Sequence, residues 1–150
     1  MYLLVESKYV LNGLIAGFIA GVITSIVVYI TLPSTGEVLK AIEDVLGENS
    51  SYIDVVKPWI GPLLLLSGPI IVVVMLFIGA ILGALHEYID KKLQDKPLIL
   101  SCIIVGSIMY IVFVVPNILL GSTGKTYTNT ITAITYTISL TILNYKWSPR

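Results

Sequence analysis

The segment His86-Glu87-Tyr88-Ile89-Asp90 holds the side chains best suited to chemistry. Residues four apart share one face of a helix, so His86 and Asp90 would lie side by side. The pattern matches the HExxH zinc-protease motif except that Asp90 replaces the second histidine. A catalytic zinc needs three protein ligands and a water. His86 is the only histidine, and no third ligand is evident. No metal is therefore expected, and the cluster is read as a helix end whose polar residues meet lipid headgroups. Cys102, the one cysteine, cannot form an intrachain disulfide and is expected to be a small packing residue.

Two further motifs fail on context. Gly121-Ser122-Thr123-Gly124-Lys125-Thr126 resembles a phosphate loop, but Leu119 stands where the first glycine is required and no strand precedes it. A short turn is expected there. Leu32-Pro33-Ser34-Thr35-Gly36 matches the LPxTG sorting pattern, yet it follows an early apolar segment instead of preceding a C-terminal one. Pro33 then reads as a helix stop and Ser34 as the next helix cap. Only scattered serines and threonines remain in the apolar segments, with no acid and base in reach of one another. No catalytic residue and no cofactor are expected, and the chain does not read as an enzyme.

The elements that position these residues follow from where the charges fall. The 150 residues are 56% hydrophobic and 12% charged, against roughly 25% charged in ordinary soluble domains. The nine basic and nine acidic side chains avoid four windows, 9–36, 58–86, 97–124 and 126–145. A hydrocarbon core about 30 Å thick needs roughly 20 helical residues to cross it. A lipid-facing backbone must satisfy its own hydrogen bonds, and these runs lack the alternation of a membrane barrel. The expected fold is an all-α integral membrane protein, a single domain with four transmembrane helices near 10–32, 59–85, 98–120 and 128–145. The first, longer than the apolar region of a signal peptide, is expected to be retained.

Within the outer loop 33–58, Ser34 and Glu37 match a capping box. Val38, Leu39, Ile42, Val45 and Leu46 then recur at helical spacing until Gly47. A short amphipathic helix is expected there, its apolar face on the membrane or on the span ends. Ser51 and Asp54 suggest a second short turn before Pro58. The fourth window alternates polar and apolar residues as a strand would. Its neighbours argue for a helix, with Thr128, Thr132, Thr135 and Ser139 on one face and Thr130, Thr137 and Thr141 nearly opposite.

Four spans place Lys8, Lys91, Lys92, Lys96, Lys146 and Arg150 on one side, against Lys40, Lys57 and Lys125 on the other. The positive-inside rule then assigns both termini to the cytoplasm of a cell-membrane protein. Asn49-Ser50-Ser51 becomes a possible glycosylation site outside. Zero net charge gives no sign of a nucleic-acid partner, and no basic block marks a dedicated anionic-lipid site.

Small residues recur every four positions at Gly13, Gly17, Gly21 and Ser25, and again at Gly79 and Gly83. Such stripes let helices approach closely. Spans one and two are expected to pack antiparallel through Gly17 and Gly83, with Gly106 of span three nearby, or else to meet another copy. Pro62, Pro69 and Pro116 fall in the opposite, outer half, where each removes a backbone donor and kinks its helix, above which a vestibule could open. Ionisable residues are missing from the spans, which disfavours an ion-coupled transporter or proton relay. The expected function is a non-catalytic accessory, assembly or structural component of a membrane complex, partnered by the lipid bilayer and other membrane helices. The alternative is a small channel or carrier for a neutral or small solute.

Overall fold

The computed structural model describes residues 7–47, 51–93 and 96–147. Every regular element among them is a helix: α1 (Ser7–Thr31), α2 (Thr35–Leu46), α3 (Ser51–Lys92), α4 (Leu98–Phe113), α5 (Val115–Leu119) and α6 (Thr123–Trp147). α1, α3 and the continuous stretch Leu98–Leu119 are long and apolar enough to cross a membrane. α6 has the length, at 25 residues, but carries eight threonines and a serine. The outer faces are apolar, with Leu63, Leu66, Phe77 and Ile81 of α3 and Ile134, Ile138 and Ile142 of α6 all exposed. That surface is compatible with a multi-pass membrane protein.

α2 starts where Ser34 and Glu37 close on each other. The Glu37 backbone N–H donates to Ser34 Oγ at 3.3 Å, and the Ser34 N–H donates to the Glu37 carboxylate at 2.7 Å. Gly47, at φ 85°, ends the helix and donates to the Glu43 carbonyl at 2.8 Å.

The second expected span and the turn before it prove to be one helix. α3 runs 42 residues through Pro58, Pro62 and Pro69. An interior proline leaves the carbonyl four residues earlier without its donor. For Pro69 that carbonyl is Leu65, and the Tyr29 hydroxyl donates to it. Beside it, Ser25 Oγ donates to the Gly68 carbonyl at 2.9 Å. α1 thus supplies part of what the proline removes. In the third expected span the helix does break, at Val114 before Pro116. There the Asn117 and Asn129 side-chain amides both donate to the Phe113 carbonyl, at 2.6 and 2.9 Å.

In the hydroxyl-rich α6 the side chains bond backwards. Thr126, Thr128, Thr132, Thr137 and Thr141 each donate to the carbonyl four residues earlier. A threonine so bonded presents its methyl outward and hides its polar atom. The alternation that resembles a strand in sequence is thus compatible with a helix.

α1 packs most extensively on α3 and next on α6, while α4 packs mainly on α6. Gly13 faces Gly83, Asn12 faces Asn144, His86 faces Ser101 and Gly106 faces Thr137. The long helices therefore alternate in direction, and the core of Ala16, Ala20, Met75, Leu82, Val105, Met109, Ala133, Tyr136 and Leu140 lies between them. One end of the bundle carries His86, the other Lys125.

Candidate functional site

At the His86 end the helix backbones nearly touch. A Cβ added at Gly13 would collide with the Gly79 carbonyl oxygen and lie 2.7 Å from Gly83 Cα. One at Gly17 would lie 3.1 Å from Gly79 Cα, and one at Gly21 3.0 Å from Val72 Cα. Gly17 therefore sits against Gly79 and Met75, and Gly83 against Gly13 and Tyr9. This register differs by one turn from the expected pairing of Gly17 with Gly83. Polar contacts at both ends hold it: Tyr9 to Asp90 at one, Ser25 to Gly68 at the other. Gly106 belongs to a different contact, since its added Cβ would strike the Thr137 side chain of α6.

The same end gathers polar side chains. His86 and Ser101 are fully buried, and Glu87 and Asp90 nearly so, so these residues do not face headgroups as the sequence suggests. Tyr9 of α1 and Ser101 of α4 cover His86 and Asp90. The Tyr9 hydroxyl donates to Asp90 Oδ2 at 2.9 Å. Ser101 has one hydroxyl proton and three neighbours: the Leu98 carbonyl at 2.7 Å, His86 Nε2 at 3.0 Å and Asp90 Oδ1 at 3.1 Å. One serine proton cannot serve all three contacts: with it on the carbonyl or on an ionised carboxylate, His86 Nε2 would have to carry the hydrogen that joins it to Ser101. Cys102 Sγ lies 3.3 Å from the same nitrogen.

A serine nucleophile needs the reverse arrangement, with its proton pointing at the imidazole and a carboxylate behind the ring at Nδ1. Here Asp90 sits on the serine, and Nδ1 has no partner. The contacts of this cluster join α3 to α1 through Tyr9 and to α4 through Ser101. Among the described residues no group of histidine, cysteine and carboxylates could hold a metal ion. One turn further in, Asn12 Nδ2 donates to Asn144 Oδ1 at 2.9 Å, joining α1 to α6 with both residues buried.

The Lys125 end is built differently. α3 and α4 are bonded near their His86 ends through Ser101. Between them, backed by α1 and α6, opens a cleft of about 870 Å³. Ile70, Val74 and Ile78 of α3 form one wall, and Met109 and Phe113 of α4 the facing one. Thr24 and Thr132, 2.5 Å apart, form the floor where α1 and α6 part. Both hydroxyls are satisfied, since Thr24 also reaches the Ala20 carbonyl at 2.7 Å and Thr132 the Thr128 carbonyl at 2.8 Å. Lys125, Tyr127 and Asn129 stand at the mouth.

Of the polar face expected on α6, Thr128 and Thr132 line this cleft, whereas Thr135 and Ser139 do not. Thr137 turns to α4. None of Pro62, Pro69 and Pro116 lines the cleft; all three are exposed on the outside of the bundle. The proline that does line it is Pro33. The glycosylation site at Asn49 lies outside the described residues.

Sequence reasoning missed the interhelical partners. A signal was present: asparagine in an apolar window is costly unless paired, and Asn12, Asn117, Asn129 and Asn144 all find partners. No family model matches the chain, and no curated protein or solved structure is significantly similar to it.

Proposed function

We propose that this chain is a four-span protein of the cell membrane, with the His86 end and both termini on the cytoplasmic side, that acts by binding and not by catalysis. It serves as a non-catalytic component of a membrane assembly. The observation that carries this reading is how the interior polar groups are used. Asn12 with Asn144, Thr24 with Thr132, and the Tyr9, Asp90, Ser101 and His86 cluster find their partners within the bundle, in one another and in backbone carbonyls of their own helices. Among the described residues only Asn12 Oδ1 and His86 Nδ1 are buried without a partner. What remains open is an apolar-walled cleft and an apolar exterior, which suit lipid and partner helices.

α6 counts as the fourth span because its hydroxyls bond within the helix, which lowers the cost of placing them in lipid. The positive-inside bias of six cations to three supports the orientation. A carrier is the second reading, favoured by the cleft alone. Against it stands the His86 end, where touching glycine backbones and the buried asparagine pair leave one chain no evident path for solute.

Purification in mild detergent with mass spectrometry of copurifying chains tests the proposal, alongside solute flux in liposomes. Stoichiometric membrane partners and no flux are expected. A lone chain that conducts or exchanges solute would overturn it. A C-terminal reporter fusion tests the topology separately, and an external signal would remove or reverse the fourth span.

A further inference from the structure

We infer that the cleft between α3 and α4 is a lipid site, which holds one apolar chain of an outer-leaflet lipid with its anionic headgroup against Lys125. The inference rests on the four-span orientation above, which brings Lys125 to the headgroup level.

Four observations converge on this occupant. Every residue that α3 and α4 contribute to its lining is apolar, so a hydrocarbon chain meets no polar wall there. Its depth is close to that of a leaflet: along α6 the lining runs from Gly124 to Thr132, eight residues of helical rise or about 12 Å, against half of a hydrocarbon core of about 30 Å. Its volume, about 870 Å³, falls within the roughly 300–1,000 Å³ of ligand clefts. The distribution of polarity is that of an amphiphile in relief. The Thr24 and Thr132 hydroxyls at the floor are already satisfied and ask nothing of a hydrocarbon tail.

The mouth supplies the charge. Among the described residues Lys125 is the only charged one that lines the cleft, and no carboxylate among them lines it. Lys125 has no ion pair among the described residues. A cation at the rim of a low-dielectric cleft attracts a phosphate or carboxylate more strongly than an isolated surface lysine does. No basic block is needed, because the bound chain itself brings the headgroup to one place. The apolar face of α2 extends the same surface, since Pro33 lines both the cleft and the shallower groove along Val38, Ile42 and Val45.

The test uses the full chain reconstituted in vesicles of equal phosphatidylglycerol and phosphatidylcholine with identical chains. A mid-chain diazirine is placed in one lipid at a time, and crosslinked peptides are mapped by mass spectrometry. Crosslinks from phosphatidylglycerol are expected to concentrate on Ile70 to Ile78 and on Met109 and Phe113, several-fold above those from phosphatidylcholine. Lys125→Gln should bring the two lipids to equal yield at the same positions, and Val74→Trp should deplete cleft crosslinks from both. Crosslinks spread evenly over the outer faces, at Leu63, Leu66 and Ile138, would overturn the site. A phosphatidylglycerol preference that survives Lys125→Gln would overturn the headgroup assignment. The wild-type map needs no variant to fold. It is also independent of the C-terminal reporter, so an inverted chain with an occupied cleft is distinguished from a correctly oriented chain with an empty one.

Discussion

The two ends of the bundle are made from the same helices and behave as opposites. At the His86 end, α1 presents Gly13 and Gly17 and α3 presents Gly79 and Gly83, so backbone meets backbone and no room is left. At the Lys125 end, α1 carries Val27, Val28 and Thr31 and α4 breaks at Val114, and the cleft opens. The stripe of small residues, and not helix length, sets where the bundle is shut. Polar residues follow the same division. Those at the closed end tie one helix to another, as in Asn12 to Asn144. Those on α6 towards the open end mostly bond backwards within the helix, as Thr126 and Thr128 do.

The largest expected effect comes from breaking the closed end. Gly79→Leu places a side chain against the Gly13 carbonyl and Gly17 Cα, backbone atoms that cannot rotate away. Overpacking costs about 1–3 kcal/mol and occasionally more, and a clash with backbone belongs at the upper end, so a detergent thermal melt should fall by several degrees or the chain should fail to fold. Gly61→Leu, with open space around its added Cβ, should melt like the wild type. Equal melting of the two variants would refute the contrast between the ends.

A smaller loss is expected from Asn144→Leu, which leaves Asn12 buried among apolar neighbours without its partner. An orphaned buried polar group costs about 1–3 kcal/mol. The double variant with Asn12→Leu should regain part of that stability, because no polar group is then stranded. If the double variant melts lower than the sum of the singles, the pair is not the tie described here.

The smallest effect concerns α2, at the open end. Its Glu37 carboxylate accepts from the Ser34 backbone and hydroxyl, which holds its pKa below the ordinary 4.5. A depressed carboxylate contributes stability above its unfolded pKa and loses it as pH falls through the folded value. Amide exchange in α2 should therefore quicken relative to α3 as the pH drops below about 4.5. Ser34→Ala should make exchange in the first turn faster at neutral pH and largely insensitive to this acidification. Unchanged exchange in both cases would show that the cap does not hold the helix.

Much of the helix pattern was legible in the residues, because long charge-free runs have few ways to satisfy a backbone. Ser34, Glu37 and Gly47 marked the ends of α2 for equally local reasons. Contacts between helices were less legible. The glycine stripes pointed to a close α1–α3 approach, but their register depended on Tyr9, Asp90 and Ser25, residues that carry no periodic signal. Gly106 has the same chemistry as Gly79 and faces a different helix. Pro62 and Pro69 marked positions where α3 loses backbone donors, but not what makes good the loss: the hydroxyl that covers the Leu65 carbonyl comes from Tyr29, 36 residues earlier. His86 and Asp90 resembled a surface cluster because their covering residues, Tyr9 and Ser101, lie on other helices.

The length of α3 carries a consequence for where the chain can reside. Its apolar run, 59–85, is 27 residues, about 40 Å of helix, whereas the Leu98–Leu119 stretch beside it is 22 residues, about 33 Å. On the four-span reading both cross the same bilayer, of about 30 Å. α3 must lean, or the surrounding lipid must thicken, at a cost of a fraction of a kcal/mol per ångström of mismatch. Membrane thickness thereby becomes a variable that this bundle feels. On that reading α3 would lean further relative to α4 in a thinner bilayer and stand more upright in a thicker one, so lipid chain length would set the angle of the bundle's tallest wall.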